Sequence, residues 1–391
     1  MLGETSGACT GLILSGGGAR AAYQVGVLSV LAELLPPGAS NPFPVICGTS
    51  AGAINALALA TNAQDFGAGV ERLQQVWSAF SCDQVYRSDW PGVTAQAWRW
   101  IRANLLGVPS SQPTAMLDNA PLRSLLQRTL HFGQIDEALQ AGLLRAVSVS
   151  AFGYQSAESV SFYQGRERIQ PWSRHRRVGV QTRLGLEHLM ASSAIPLVFP
   201  PVQLNREWFG DGAVRQQAPI SPALHLGANR VLVIGVSDNL ANQPAGGRRG
   251  PRLRAALPPT LAQIGGHLLS STFVDNLEAD IELLERMNKL AGYLPVGSRM
   301  NGKGLRQVDV EVISPSEPLD IIAARHRKLL PRSLRAFLRG SGATRASGGS
   351  VVSYLLFEAD YTRELIALGR RDALAKRDQL QRFLSLPPVH G

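Results

Sequence analysis

The chain has 391 residues, a formal net charge of +10 and three cysteines. Hydrophobic residues make up 45% and charged residues 17%, which excludes a disordered chain and a coiled coil because both need more charge. Cys9, Cys47 and Cys82 cannot form a disulfide framework and include no CxxC pair, so a zinc site of that type is excluded and a reducing compartment is expected. Since no cluster of metal-ligand residues is visible, we expect no metal site.

The positive charge is carried almost wholly by arginine, because only four of the 39 basic residues are lysines. A solvated surface explains such an excess, and so does attraction to phosphate in lipid headgroups or nucleic acid. No apolar run approaches the roughly 20 residues of a membrane-spanning helix, and the N-terminus lacks the regions of a signal peptide. We therefore expect a cytoplasmic protein that is soluble or touches a membrane peripherally.

The predicted elements begin with two successions of strand, glycine turn and helix. Residues 11–15 form a short buried strand, and three glycines and a helix over residues 20–35 follow it. Residues 45–47 form a second strand, which a helix over residues 51–60 follows after another glycine turn. This alternation is typical of a parallel α/β sheet.

Further elements follow along the chain. Apolar runs predict strands at 144–152, 159–163, 231–236 and 308–313, of which the first and third are continuous enough for strands covered on both faces. Helical periodicity is found at residues 67–80, 93–106, 120–130, 184–191, 260–291 and 361–385.

The chain is predicted to form one large domain with an interruption. We expect a core that contains both glycine turns at residues 8–240, and a flexible loop rich in Pro, Gly and Arg at residues 241–259. Because the strand and helix on either side of this loop make one βα step, residues 260–391 should complete or flank the same domain.

The sequence GTSAG at residues 48–52 fits the G-x-S-x-G pattern of a nucleophile elbow, with a buried strand before it and a small-residue helix after it. Such a turn must be tight for the Ser50 hydroxyl to stand above the sheet, and Gly48 and Gly52 leave space where a Cβ atom would clash. At a helix N-terminus, Ser50 would lie beside N–H groups that favour a developing oxyanion. The pattern predicts Ser50 as a nucleophile, although serine between glycines is common elsewhere.

Gly16, Gly17 and Gly18 bring several backbone N–H groups to one point between a strand and a helix, which predicts an anion-binding loop. One interpretation is an oxyanion hole, and the other is a dinucleotide site, because residues 16–21 also satisfy G-x-G-x-x-A. A dinucleotide site needs an acid after the second strand, and residues 34–64 contain no Asp or Glu. The oxyanion hole is therefore favoured, and the absence of Lys-Ser/Thr excludes a Walker A loop.

Asp211 and Gly212 follow an apolar, proline-rich run at residues 193–201. An aspartate before glycine is most often a plain turn. The functional alternative is a base that takes the proton from Ser50 directly, without a histidine between them. Residue types alone leave both alternatives open and favour the turn.

Together these residues resemble the patatin-like phospholipases. The glycine loop, the serine elbow, an Ala-x-Pro-x-x-Phe-Pro-Pro stretch at residues 194–201 and the Asp-Gly dipeptide occur in that family's order over residues 11–215. Residues 353–358 are similar to the C-terminal stretch of bacterial members. The resemblance implies a three-layer α/β/α fold with a mostly parallel central sheet.

The same resemblance implies a lipid acyl hydrolase of the phospholipase A or lysophospholipase kind, which cleaves carboxylic esters through an acyl-enzyme and needs no cofactor. It implies a Ser-Asp dyad, an oxyanion hole and four supporting residues, which correspond to Ser50 and Asp211, to Gly16, Gly17 and Gly18, and to Arg20, Gly48, Gly52 and Gly212. Ala21 stands where the family usually has glycine, and a local effect on helix packing is expected there.

Two other functions remain as alternatives. A Ser-His-Asp esterase or thioesterase would need a histidine after the serine, and His225, His267 and His326 are available but lie in no recognisable catalytic context. A non-catalytic nucleic-acid-binding module would need aromatic residues interleaved with basic clusters, and the clusters at residues 174–177 and 325–345 have one aromatic neighbour each. The expected partner is therefore a lipid ester and not nucleic acid.

Two segments are candidates for transient contact with an anionic membrane surface. Residues 90–102 combine two arginines with three tryptophans, Trp90, Trp98 and Trp100, a pattern that fits either a headgroup interface or a lid whose aromatic side chains pack inward. Residues 325–345 carry seven Lys or Arg residues and no acid. We favour a packed helix for this second segment, because its leucine stripe is narrow.

Overall fold

The computed structural model describes residues 9–87, 89, 115–166, 169–216, 218–237, 276–293, 307–335 and 349–386. Three sequence predictions lie outside these residues: the helix at 93–106, the flexible loop at 241–259 and the first part of the helix at 260–291. The candidate membrane segment at 90–102 also lies outside them.

The described strands belong to one ten-stranded sheet. They are β1 (Thr10–Leu14), β2 (Val45–Thr49), β3 (Ala146–Gly153), β4 (Ser159–Gly165), β5 (Trp172–Arg174), β6 (Arg177–Gln181), β7 (Val202–Leu204), β8 (Glu207–Asp211), β9 (Arg230–Ile234) and β10 (Asp309–Ile313). The main path runs β10-β9-β1-β2-β3-β4-β6-β5, and β8 pairs with both β3 and β7.

The centre of this sheet is parallel. Strands β10, β9, β1, β2 and β3 run in the same direction, whereas β4 is antiparallel to β3. The predicted α/β class and mostly parallel central sheet are therefore confirmed, and each of the predicted strands is present. The strands β5 to β8 were not predicted, because they are short and partly exposed and lack an apolar run.

Strands β2 and β8 share one edge of β3. Residues Ala146 to Ser150 of β3 pair with β2, and Ala151 to Gly153 pair with β8. The other edge of β3 is occupied by β4 as far as Phe152, so β8 lies on the same edge as β2 and directly beyond its end. Strand β2 runs parallel to β3 and β8 runs antiparallel to it. The carboxyl ends of β2 and β8 therefore face each other.

The described α-helices pack around the sheet. They are α1 (Ala22–Leu34), α2 (Ala51–Thr61), α3 (Phe66–Ser78), α4 (Ala120–Thr129), α5 (Gly133–Gln140), α6 (Leu186–Ser192), α7 (Ser221–His225), α8 (Asn276–Tyr293), α9 (Leu319–His326), α10 (Gly349–Leu355), α11 (Ala359–Ala375) and α12 (Arg377–Phe383). A 3₁₀ turn at Gly18–Ala21 precedes α1, so the predicted helix start at residue 20 falls inside that turn.

Helix α1 lies in the interior, since its residues 22–31 are all buried. It crosses α11 so closely that a Cβ atom added at Gly26 would lie 2.0 Å from Ile366 O, and one added at Gly369 would lie 2.1 Å from Tyr23 O. Such a crossing needs glycine on both helices. Helix α11 is therefore packed directly onto helix α1.

Two predicted C-terminal helices are corrected by the structure. The helix over residues 361–385 is divided into α11 and α12 at Lys376, which has non-helical torsion angles. The continuous helix favoured for residues 325–345 is wrong in its described part, because Leu330 has extended torsion angles. Pro331 follows it and disfavours helical geometry in the preceding residue. Leu330 and Leu334 are nonetheless buried, so the predicted packing of these leucines is confirmed.

Candidate active site

The turn from β2 into α2 holds Ser50 in a strained conformation. Its torsion angles are φ 54° and ψ −129°, outside the regions that a non-glycine residue prefers. A Cβ atom added at Gly48 would lie 2.4 Å from Ala53 Cα, and one added at Gly52 would lie 2.3 Å from Leu14 O. The two glycines therefore allow the tight turn that the sequence predicted.

The Ser50 hydroxyl donates a hydrogen bond to Asp211 Oδ2 at 2.5 Å. Both residues are buried, and the other carboxylate oxygen of Asp211 accepts the N–H of Ala213 at 2.9 Å. Burial raises the pKa of Asp211 from 3.8 to about 7, while the hydrogen bonds from Ser50 and Ala213 partly oppose that rise. The carboxylate thus has a proton affinity suited to a base near neutral pH.

Asp211 is fixed by its backbone as well as by its side chain. Its N–H donates to Ala194 O at 2.9 Å, within the proline-rich stretch that precedes β7. A Cβ atom added at Gly212 would lie 2.2 Å from Ser150 O on β3. Gly212 is therefore required for the turn to lie against the sheet, which makes the Asp-Gly dipeptide more than a plain surface turn.

Ser192, at the end of α6, also holds the elbow and was not predicted from the sequence. The Ser50 N–H donates to Ser192 Oγ at 2.8 Å, and the Ser192 hydroxyl donates to Ser150 O at 2.6 Å. This buried serine therefore connects the elbow to β3. A weak signal was present, because two serines between alanines directly precede the Ala-x-Pro stretch.

The glycine loop lies against the elbow. A Cβ atom added at Gly16 would lie 3.0 Å from Ser50 Cβ, and one added at Gly17 would lie 2.3 Å from Val236 Cγ2. Gly18 has a φ of 54°, which favours glycine. In the described part of the chain, no protein group accepts a hydrogen bond from the N–H of Gly16, Gly17 or Gly18. These amides can therefore bind an anion.

Arg20 is buried and points into the protein. It is 5% exposed, its Nε donates to Ser353 Oγ at 2.8 Å, and its guanidinium lies 4.3 Å from the centroid of the Tyr354 ring. It does not line the cavity beside Ser50. Ala21 is fully buried, and its carbonyl oxygen accepts a hydrogen bond from Asn55. The alanine that stands here in place of the expected glycine is therefore accommodated locally.

A mostly apolar cavity opens beside Ser50 and Gly18. Its wall is formed by α2, α3, α4 and the segments around Phe199 and Phe357, and it includes Ile54, Leu73, Trp77 and Leu126. Among the lining residues, Ser193 is a buried hydroxyl whose Oγ has no hydrogen-bond partner in the described structure. The shape and chemistry of this wall suit an alkyl chain.

Neither side chain of the Ser50–Asp211 pair has a histidine partner within the described ranges. The His225 ring stacks on Trp172 with 4.8 Å between centroids, and His326 Nε2 lies 2.6 Å from Glu364 Oε2. His267 lies outside the described residues. The geometry therefore favours a pair of Ser50 and Asp211 over a Ser-His-Asp triad.

The described residues contain neither a cluster of metal ligands nor a helix that could span a membrane. No group of three or more His, Cys, Asp and Glu side chains there is arranged to hold a metal ion. Of the helices in the described ranges, none combines the length and the apolar character needed to cross a bilayer.

Comparison with known proteins shows the family of this chain. A sequence profile of patatin-like phospholipases matches residues 12–224, a span that contains the glycine loop, Ser50 and Asp211. A cGAMP-activated phospholipase from Pseudomonas aeruginosa (strain BWHPSA011 / Pa011) is 27% identical over 215 residues, which are 55% of this chain and 55% of that protein. The match therefore spans about half the length of this curated relative.

Among solved structures, VipD from Legionella pneumophila aligns with a TM-score of 0.30 and 14% identity, over 92% of this chain and 67% of that chain. The profile match covers more than half of the chain, and the chain belongs to the patatin-like phospholipase family.

Proposed function

We propose that this protein is a lipid acyl hydrolase, which cleaves carboxylic esters through a catalytic pair of Ser50 and Asp211. The observation that carries the proposal is the 2.5 Å hydrogen bond from the Ser50 hydroxyl to the buried Asp211 carboxylate, at a strained elbow. Membership of the patatin-like phospholipase family supports the lipid substrate.

In the first half-reaction, the Asp211 carboxylate accepts the hydroxyl proton while Ser50 Oγ bonds to the ester carbonyl carbon. The carbonyl electron pair moves onto oxygen and gives a tetrahedral oxyanion. When this intermediate collapses, the C–O bond to the alcohol breaks, and the alcohol leaves with the proton that Asp211 holds. The products of this half-reaction are an acyl-Ser50 ester and the free alcohol, and Asp211 is again a carboxylate.

The oxyanion would be held by the N–H groups of Gly16, Gly17 and Gly18. Three observations support this role: the loop lies against the elbow, its amides have no protein acceptor in the described structure, and Gly18 faces the same cavity as Ser50. Amides that are fixed before the reaction stabilise the developing charge without reorganisation.

In the second half-reaction, Asp211 takes a proton from water, and the resulting hydroxide oxygen bonds to the acyl carbon. Collapse of the second tetrahedral intermediate breaks the bond to Ser50 Oγ, which recovers the proton from Asp211. The free fatty acid leaves and the resting pair is restored. No step requires a group beyond the residues of this chain and water.

The cavity beside Ser50 supports the proposed substrate class. Apolar side chains such as Leu73, Trp77 and Leu126 beside Ser50 suit an acyl chain, and phospholipids or lysophospholipids present the required ester. We propose that residues 260–391 complete the same catalytic domain, because β10 extends the sheet next to β9 and α11 packs on α1. We also propose that residues 90–102 contact an anionic membrane surface during substrate uptake.

The proposal is tested by incubating the purified full chain with a panel of phospholipids, lysophospholipids and acylglycerols. Released fatty acids and lysolipids are identified by mass spectrometry, with Ser50→Ala as the matched control. We expect release of fatty acid from at least one lipid class by wild type and none above background by the variant. Equal release by both proteins, or none by wild type, would contradict the proposal.

A further inference from the structure

The C-terminal helix α10 lies outside the residues that the family profile matches, yet it contacts the glycine loop. A Cβ atom added at Gly18 would lie 2.3 Å from Tyr354 O and 3.3 Å from Tyr354 Cα. The backbone of the loop therefore rests directly on the backbone of α10. Any shift of this helix would be transmitted to Gly18, one of the residues proposed to bind the oxyanion.

Arg20 makes a second connection between the same two elements. Its Nε donates to Ser353 Oγ at 2.8 Å, and its guanidinium lies over the Tyr354 ring at 4.3 Å. No carboxylate forms an ion pair with Arg20 in the described part of the chain. A buried guanidinium is costly without partners, so the hydroxyl and the ring hold it in one orientation.

The C-terminal segment is itself anchored to the core. Tyr86 Oη donates to Leu355 O at 2.8 Å, and Thr362 Oγ1 donates to Trp77 O at 2.6 Å. Phe357 stacks on Trp77 with 6.3 Å between ring centroids and lines the cavity beside Ser50. The segment can therefore act as a fixed support for the loop.

We propose that Arg20 is a positioning residue, through which Ser353 and Tyr354 of the C-terminal helix hold the glycine loop in its oxyanion-binding geometry. The inference rests on the proposed hydrolase function. It assigns the basic residue of the loop to an internal contact and not to the phosphate of a lipid. The direction of the side chain supports this assignment, because Arg20 is buried against α10 and does not line the cavity.

A positioning role and a phosphate-binding role for Arg20 have different kinetic consequences. The oxyanion exists only in the transition state and the tetrahedral intermediate, so a displaced loop lowers kcat and leaves substrate binding nearly unchanged. The loss should be the same for a neutral ester and for a phospholipid. A contact with phosphate would instead raise KM for the phospholipid alone.

The experiment compares Ser353→Ala, Arg20→Lys and the double variant in the full chain, on a short 4-nitrophenyl ester and on phosphatidylcholine in mixed micelles. Lysine keeps the charge of Arg20 but loses the Nε donor and the planar stacking group. Val352→Ala is the matched control, because Val352 is a buried neighbour on the same helix and truncating it removes packing only. The thermal midpoint of each variant is measured alongside.

We expect Ser353→Ala and Arg20→Lys each to lower kcat between about 10-fold and about 100-fold on both substrates, with KM within about twofold of wild type. The double variant should be no worse than the poorer single variant, because both changes break the same hydrogen bond between Arg20 and Ser353. Val352→Ala should lower the thermal midpoint and keep kcat.

Three results would overturn the proposal: unchanged kcat in Ser353→Ala, a rise in KM confined to phosphatidylcholine in Arg20→Lys, or an equal loss of kcat in Val352→Ala at the same thermal midpoint as Ser353→Ala. If Arg20→Lys does not fold, Ser353→Ala and its control decide the question alone. Failure of the hydrolase function is distinguishable, because wild type itself would then cleave neither substrate.

Discussion

The backbone N–H of Ser50 donates to the Ser192 hydroxyl at 2.8 Å, so the elbow is held by its amide as well as by the hydrogen bond from its hydroxyl to Asp211. The Ser192 hydroxyl in turn donates to Ser150 O on β3. Ser50 and Asp211 are 161 positions apart, and both are tied to the same strand. Contacts that lead to strand β3 therefore hold Ser50 in its strained torsion angles.

Replacing Ser192 by alanine should destabilise the protein and reduce its activity. The change leaves the buried Ser50 N–H without its acceptor, which costs about 1–3 kcal/mol, and it removes one donor to Ser150 O. The neighbouring Ser193→Ala is the control, because the Ser193 hydroxyl has no hydrogen-bond partner in the described structure and its loss should leave stability unchanged or improved. Chemical denaturation of both variants measures the difference, and equal stabilities would contradict it.

Activity should depend on the ionisation of Asp211. Only the carboxylate can accept the Ser50 proton, and burial raises its pKa to about 7. Because the protonated form prevails below that value, kcat/KM should fall as the pH is lowered through about 7 and level off above it. The profile is measured on an uncharged soluble ester. A kcat/KM that stays constant from pH 8 down to pH 5 would exclude Asp211 as the base.

Asp211→Asn should lower kcat by about 10⁴-fold, because an amide keeps the shape of the carboxylate but cannot accept the proton. Glutamine replacements of His225, His267 and His326, one at a time, should each retain most of the activity. Steady-state kinetics of the four variants on one soluble ester make the comparison. A histidine variant as inactive as Asp211→Asn would show that a triad operates.

Changing Trp98 and Trp100 together to alanine should weaken binding to anionic phospholipid vesicles. Activity on vesicles should fall more than activity on a short soluble ester, since the Ser50–Asp211 pair is untouched. The arginines of the segment add an electrostatic attraction, which should fade as salt rises beyond the concentration at which the screening length is about 8 Å. Unchanged vesicle binding with a lowered thermal midpoint would instead support an inward-packed lid.

Much of the fold and part of the site could be predicted because they are encoded by neighbouring residues. The strand-turn-helix unit around Ser50 is visible in a dozen residues, since its apolar run, glycines and small-residue helix are adjacent in the sequence. The buried strands of the parallel sheet likewise appear as apolar runs. Such features need no knowledge of which strands are neighbours.

The hairpin that carries Asp211 could not be predicted in the same way. Asn205 and Arg206 both adopt positive φ angles of 49° and 80°, as in the tight turns that connect β-strands. The usual sequence signal is Asn-Gly, and Arg206 replaces that glycine. With partly exposed three- and five-residue strands on either side, nothing in the local sequence marks a hairpin.

Contacts between residues that are far apart in the sequence could not be predicted either. The hydrogen bonds of Ser50 to Ser192 and of Arg20 to Ser353 connect residues 142 and 333 positions apart. Serine is common and carries no periodicity, so neither partner can be identified before the chain is folded. The family resemblance implies a supporting role for Arg20, but only the structure shows which groups its side chain contacts.

The central claim is that Ser50 is the nucleophile of a serine hydrolase, and the most direct measurement is the site of covalent labelling by a fluorophosphonate probe. Mass spectrometry of digested wild-type protein should find the phosphonyl group on Ser50, and Asp211→Asn should be labelled much more slowly. Ser50→Ala should remain unlabelled and should lose about 10⁶-fold in kcat while it keeps its thermal midpoint. Labelling at another residue, or labelling that persists in Ser50→Ala, would contradict the account.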